Sequence, residues 1–263
     1  MLPVCPITLL NDMWVKDRNI QGAWGFSGSF FTEVGTTVHA VLEEWVGISG
    51  HRPWGDWICN NHDKPVKWQH TDDSTCPGCG GQGKYEEVTV EYLGFKGHID
   101  IILITDDGIL VGDYKTSTAN KLAYPTYSKH NPAYPLQLMV YTYLLHKLFG
   151  KHFMEKYGLK IMGCSLLFIS RDNPFRSREF HWDAEHAIKF GRQIAHINLH
   201  KFNAAKRAYK ANDITLAIKR RVCVNAKDYE KRVKAFHPFG GCPLASKCFK
   251  TKEITQHLNQ LKP

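Results

Sequence analysis

Strand-like and helix-like stretches alternate along this 263-residue chain in a pattern that predicts an α/β fold with a central mixed sheet flanked by helices. Three observations carry that expectation. Apolar and β-branched runs occupy YEEVTVEYL (85–93), GHIDIILI (97–104) and ILVGDYK (109–115). An apolar helix-forming stretch, LQLMVYTYLLHKLF (136–149), separates them from a further strand-like run, KIMGCSLLFIS (160–170). A long basic stretch with helical periodicity then runs from Ala184 to Tyr209.

In chain order, FTEVGTTVHAVLEEWV (31–46) comes first and has helical spacing, with Val34, Val38, Val41, Leu42 and Trp45 on one face. Residues 51–83 are rich in Trp, His, Gly, Asp and Cys and read as an irregular insertion. The Asp106-Asp107-Gly108 turn makes a hairpin of the runs 97–104 and 109–115. A loop rich in Pro and Tyr, 118–135, leads into the 136–149 helix, and a second strand is expected around Arg178–Trp182. The apolar residues of the basic helix, Ile188, Phe190, Ile194, Ile197 and Phe202, are expected to pack on the core. A single domain, 1–263, with a cysteine-bearing tail from 213 to 263, fits this plan.

Composition narrows the class. Hydrophobic residues at 43% and charged residues at 22% argue against disorder, collagen-like repeats and coiled coil. No stretch reaches the roughly 18 uninterrupted apolar residues of a spanning helix, so no membrane partner is expected. The opening MLPVCPITLL lacks a basic n-region and reads as mature protein, which sets the expected location in the cytoplasm. The net charge of +9 is unevenly placed. Residues 184–263 hold 17 basic against 5 acidic side chains, a pattern that suits a polyanion.

Eight cysteines fall into two clusters, with Cys164 left over in an apolar run as a packing residue. Cys59-x2-His62 and Cys76-x2-Cys79 form two metal knuckles. Three thiolates and an imidazole suit tetrahedral Zn²⁺, and Gly78 and Gly80 allow the tight turn. His70 is the alternative imidazole, although the two-residue spacing favours His62. Cys223, Cys242 and Cys248 lie in the basic tail and Cys5 near the N-terminus.

The richest chemistry lies in GHID (97–100) and GDYKTST (112–118). Alternation along a strand puts Asp113 and Lys115 on one face with Tyr114 opposite, and Asp100 alongside them. Converging carboxylates need a neutralising cation, and oxygen ligands suit Mg²⁺ or Mn²⁺. A lysine beside such a metal can stabilise charge developing on a phosphate, a combination suited to phosphodiester hydrolysis. Glu33, Glu43, Glu44 and Glu87 are further oxygen donors.

The GxxD and D-x-K motifs on consecutive strands resemble the PD-(D/E)XK nuclease superfamily. Gly35-Thr-Thr-Val-His39 resembles the GxxxH motif of its RecB-like branch, and Gln137-Leu-Met-Val-Tyr141 resembles the QxxxY motif, all in that branch's order. Ile99 stands where many members have proline before the first aspartate.

The resemblance implies a restriction-endonuclease-like core. His39, Asp100 and Asp113, with the Tyr114 carbonyl, would bind the metal. Lys115 would be catalytic, and Gln137 and Tyr141 would hold the DNA strand or the site geometry. It further implies a divalent-metal-dependent DNA exonuclease of phage or bacterial recombination, replication or repair, with DNA ends or single strands as partner. The 51–83 segment resembles the zinc-ribbon insertion of some phage-type members. Cys5, Cys223, Cys242 and Cys248 resemble the clasp that holds a [4Fe–4S] cluster in RecB-like nucleases, with zinc on three thiolates and His237 as the alternative.

Outward cations of the basic helix (Lys189, Arg192, Lys201, Lys206, Arg207, Lys210) and the loop aromatics Tyr124, Tyr127, His130 and Tyr134 suit a phosphate backbone and unpaired bases. Two other functions share these features: a RecB-like nuclease of CRISPR spacer acquisition, and a non-catalytic zinc-containing DNA-binding protein.

Overall fold

The computed structural model describes residues 37, 41, 51–118, 122, 133–170, 173, 176–215, 255, 256 and 259. These fall into two compact units, one holding 133–136, 193–215 and the three most C-terminal described residues, the other holding the rest. The elements, in chain order, are β1 (Arg52–Pro53), β2 (Gly55–Cys59), β3 (Val66–Thr71), β4 (Lys84–Glu86), β5 (Val88–Tyr92), β6 (Phe95–Ile99), β7 (Ile101–Ile104), β8 (Ile109–Ser117), α1 (Ala133–Tyr157), β9 (Ile161–Ser170), β10 (Ser177–Asp183) and α2 (Ala184–Ala211).

The expected mixed sheet is present. Its strand order is β1-β7-β8-β9-β10, antiparallel throughout except for the parallel pair β8–β9. A parallel pair needs a long crossover, and α1 supplies it. Strand β8 is buried along most of its length, as a central strand covered on both faces must be. On one face Ile101 and Tyr114 pack with Leu103 and Leu167. On the other, Leu166 and Phe168 are fully buried.

Several expectations need correcting. Residues 51–83 are not irregular: they contain β1, β2 and β3, and β2 pairs with both β3 and β4 in a three-stranded sheet. The aromatic residues that broke the usual strand pattern are its core, since Trp54, Trp57 and Tyr85 are all nearly inaccessible. The run 97–104 is two strands in two sheets. β6 pairs with β5 in a two-stranded ribbon and β7 pairs with β8, so only β7 and β8 form the predicted hairpin across 105–108. The 85–93 run is likewise split between β4 and β5.

Helix α1 starts earlier and ends later than 136–149. Pro135 sits in its first turn, where a missing N–H costs nothing, and the stretch GKHFMEKY continues the helix beyond Phe149. Asp183 caps α2, its Oδ1 accepting the His186 N–H at 2.8 Å. The buried stripe of α2 is not the expected large apolar set: Phe190, Ile197 and Phe202 are exposed, and Ala187, Ala195, Ala204, Ala205 and Ala208 are buried. Small residues let helices approach closely. A Cβ on Gly191 would stand 2.0 Å from the Met139 carbonyl oxygen of α1. Of the early helix face, Val41 is described, and it is helical and 59% exposed rather than packed.

Candidate active site and metal knuckle

The break between β6 and β7 makes the site. Strands β7 and β8 pair with Ile101 opposite Gly112, so the next facing positions are Asp100 and Asp113. Both are buried, at 6% and 2% exposure. Asp100 does not continue the strand ladder; its Oδ2 accepts the backbone N–H of Tyr114 at 2.7 Å. That bond fixes one carboxylate on the backbone of the strand that carries the other.

Lys115 lies on the Asp113 face, as alternation predicts. Its Nζ is 2.6 Å from Asp113 Oδ2 and donates to the Tyr114 carbonyl at 3.0 Å. The ammonium therefore rests against two oxygens that the sequence resemblance assigns to a metal. Two buried carboxylates at facing positions are costly without cations to balance them. Their oxygen donors suit Mg²⁺ or Mn²⁺.

Helix α1 adds Gln137 and Tyr141, one turn apart. Gln137 Nε2 donates to the Tyr141 hydroxyl at 2.6 Å. Burial pushes the Tyr141 hydroxyl above its ordinary pKa; the Gln137 bond and Lys115 oppose this, while the charges of Asp113 and Asp100 add to it. Those couplings place the phenol in the field of the acidic pair. Gly97 is what lets it in: a Cβ there would fall 2.3 Å from Tyr141 Cε1. The glycine of the GHID motif thus makes room for the tyrosine of the QxxxY motif. His39 and the glycine of its motif, Gly35, lie outside the described residues, as do Glu33, Glu43 and Glu44. Glu87 is described on the ribbon side, 4.0 Å from His98 Nδ1.

The sheet register adds a residue that sequence reading passed over. Lys115 faces Phe168 and Phe168 faces Arg178, so Arg178 shares the Lys115 face two strands away. Its guanidinium stacks over Phe180 and donates to the Leu122 carbonyl at 3.2 Å, holding the chain that follows β8. The alternation in SREFHWD, which puts Arg178, Phe180 and Trp182 on one face of a strand, was the available signal.

The second constellation is the knuckle. One donor atom from each of Cys59, His62, Cys76 and Cys79 lies within 4.8 Å of all the others, and among the described residues this is the one group of three or more such donors that could hold an ion. Cys59 Sγ and Cys79 Sγ are 3.8 Å apart, and His62 Nε2 and Cys76 Sγ are 3.3 Å apart. A tetrahedron with Zn–S bonds of about 2.3 Å has edges of about 3.8 Å, so these two pairs match zinc's spacing within a set whose donors all fall within 4.8 Å.

The turn is closed by Cys76 N–H to the Gly81 carbonyl at 2.7 Å and Gly80 N–H to the Cys76 carbonyl at 2.9 Å. Gly80 has φ of 71°, a conformation that favours glycine. Burial opposes ionisation of Cys76, but the Gly78 and Cys79 N–H groups, His62 and Cys59 outweigh it and bring the thiol down to about 6. That suits a thiolate ligand.

His70 is excluded from the knuckle. Its ring packs between Trp54 and Phe149, at 5.7 Å and 4.7 Å. Cys164 is fully buried, as expected, and burial raises its thiol to about 11. Cys5, Cys223, Cys242, Cys248 and His237 lie outside the described residues, as do Tyr124, Tyr127 and His130. No helix among the described residues is long and apolar enough to cross a membrane.

A family model described as the PD-(D/E)XK nuclease superfamily matches residues 24–248. No curated protein matches the chain. Among solved structures, one titled "Crystal structure of SSO0001" aligns over 72% of this chain and 84% of its own, with 14% identity and a TM-score of 0.28, a likeness too loose to carry an argument.

Proposed function

This chain belongs to the PD-(D/E)XK nuclease superfamily, and on that premise we propose that it is a Mg²⁺- or Mn²⁺-dependent deoxyribonuclease acting as an exonuclease on DNA ends or single strands in phage or bacterial recombination, replication or repair. The observation that supports this most directly is the facing pair Asp100 and Asp113 with the Lys115 ammonium 2.6 Å from the second carboxylate. Asp100, Asp113 and, by resemblance, His39 and the Tyr114 carbonyl would hold the ion. A divalent cation supplies charge neutralisation for the phosphodiester and a water acidic enough to lose its proton near neutral pH.

The chain's own groups do the rest. Lys115 is held by Asp113 and the Tyr114 carbonyl, so its charge is preorganised where a phosphate oxygen gains negative charge. Gln137 and Tyr141 form a donor pair at the rim of the acidic face, positioned to orient a strand entering the site. The excess of cations in residues 184–263 raises the local concentration of a polyanion. Zinc in the Cys59, His62, Cys76 and Cys79 knuckle has a structural role in this reading.

The test is digestion of oligonucleotides labelled separately at each end, with Mn²⁺, by wild type, Asp113→Asn and Lys115→Ala. Release of mononucleotides from one labelled end by wild type is expected, with at least a ~100-fold loss of rate in either variant. Internal fragments from both labels would replace the exonuclease reading with an endonuclease. Equal rates for all three proteins would reject the site.

A further inference from the structure

Where the edge strand β1 leaves the central sheet, the ladder contains a side chain. Strand β1 pairs with β7 as Arg52 opposite Ile104 and Pro53 opposite Leu103, so Trp54 and Ile102 are the next facing pair. A facing pair of the hydrogen-bonded kind exchanges two backbone bonds. Here one is direct: Trp54 N–H donates to the Ile102 carbonyl at 2.8 Å. The return path runs through Tyr85. Ile102 N–H donates to the Tyr85 hydroxyl at 3.4 Å, and that hydroxyl donates to the Trp54 carbonyl at 3.5 Å. Both distances exceed the usual ranges of about 2.7–3.2 Å and 2.5–3.0 Å, so each is a weak bond, one oxygen reaching toward two strands at once.

Tyr85 is built into this position. It is 1% exposed, and its ring meets Trp57 edge-on with centroids 5.5 Å apart. A Cβ on Gly55 would fall 2.6 Å from the ring, so the neighbouring strand is shaped to admit it. Burial holds the phenol well above its ordinary pKa, so it remains a donor at any working pH.

The location of this bridge gives it a consequence. Tyr85 lies on β4, facing Trp57 of β2, and β2 ends in the ligand Cys59. Ile102, at the other end of the bridge, is the second residue after Asp100 on β7. We infer that Tyr85 is a positioning residue through which the Cys59–His62–Cys76–Cys79 knuckle sets the strand that presents Asp100. The hydroxyl pins the start of β7 against the knuckle sheet, and Asp100 stands where β7 begins, bound to Tyr114 N–H. Without the hydroxyl, Ile102 N–H and the Trp54 carbonyl must either go unpaired or close on each other. Closing moves the start of β7 relative to β8, and with it the spacing of Asp100 and Asp113.

This inference rests on the reading of Asp100 and Asp113 as divalent-metal ligands, and the experiment separates the two. Tyr85→Phe keeps the ring and removes the hydroxyl alone. Zinc content, amide hydrogen exchange at Ile102 and Mn²⁺ binding without DNA, followed by electron paramagnetic resonance, are measured on the full chain for wild type and variant. The variant is expected to retain its zinc, exchange faster at Ile102 and bind Mn²⁺ roughly three- to tenfold more weakly, with cleavage recovering at high Mn²⁺. Chelating zinc from the wild type is expected to speed the same exchange. Unchanged exchange at Ile102 in both experiments overturns the inference, as does weakened Mn²⁺ binding accompanied by loss of zinc. Faster exchange in a protein whose wild type binds no Mn²⁺ would sustain the bridge and reject the nuclease reading.

Discussion

The molecule holds two candidate metal sites of opposite character. The knuckle takes its four donors from two adjacent turns, all between Cys59 and Cys79, and uses sulfur and imidazole. The acidic site takes its groups from the end of β6, from β8 and from α1, and uses oxygen and ammonium. In the first, the ligands come together because two short turns meet at one end of a three-stranded sheet, where Cys59 pairs with Val66 and Ile58 with Lys84. In the second they come together only because a strand breaks at Asp100. Local sequence spacing builds the first. The second needs the whole sheet.

Removing a knuckle ligand tests that contrast most strongly. Cys76→Ser takes away a thiol brought down to about 6, and a zinc-held segment would depend on that ligand for its fold. The variant is expected to lose its zinc, measured by atomic absorption, and to melt on the order of 10 °C lower. Asp113→Asn should leave both quantities unchanged. If the two variants melt alike and both keep zinc, the division into a structural and a catalytic metal site fails.

Gly97→Ala sharpens the comparison from the other side. The added methyl would meet the Tyr141 ring, which lies directly against Gly97 of β6. Overpacking of this kind costs about 1–3 kcal/mol. The substitution should lower the unfolding free energy by that amount, read as a lower denaturant midpoint, and lower cleavage, without touching zinc content. A midpoint equal to wild type would show that Tyr141 does not depend on the space above Gly97.

How much of this was legible beforehand follows the same division. CxxH and CxxC declare a knuckle because its donors are close in sequence, and the structure brings those four donors together. Its strands were not legible. Trp54, between β1 and β2, and Asp56 and Trp57 of β2 are buried in an order that matches neither strand alternation nor an apolar run. The motifs of the acidic site were legible, and Asp100, Asp113 and Lys115 stand together.

The break at Asp100 was not legible, because GHIDIILI has the apolar pattern of a single strand. What divides it is a tertiary bond, Asp100 to Tyr114 N–H, that no local pattern contains. The β5–β6 turn was hidden for a related reason: Leu93 and Gly94 have φ of 55° and 75°, and leucine is a poor advertisement for a left-handed turn. The small-residue stripe of α2 escaped because periodicity weights large side chains, whereas close helix contact selects alanine and glycine.

The smallest expected effect concerns Asp72, which ties the end of the knuckle sheet to the C-terminal turn of α1. Its Oδ1 accepts from the Tyr157 hydroxyl at 2.6 Å and pairs with Lys156 at 3.3 Å, while Oδ2 pairs with Arg52 at 2.7 Å. Burial alone would raise this carboxyl, but those partners outweigh it and hold it down to about 2. A carboxyl depressed on folding adds stability that is fully present above its unfolded pKa of about 3.9 and is lost as pH falls toward the folded value. Arg52 and Lys156 are half exposed, so solvent screening limits the contribution to about 1 kcal/mol.

Asp72→Asn should therefore be less stable than wild type by about that amount at pH 7, with the gap closing between about pH 4 and pH 2. Zinc loss in acid strikes both proteins equally and cancels in the difference. Urea midpoints of the pair across that range provide the check, and a gap that persists at pH 2 would show that Asp72 acts through packing and not through its charge.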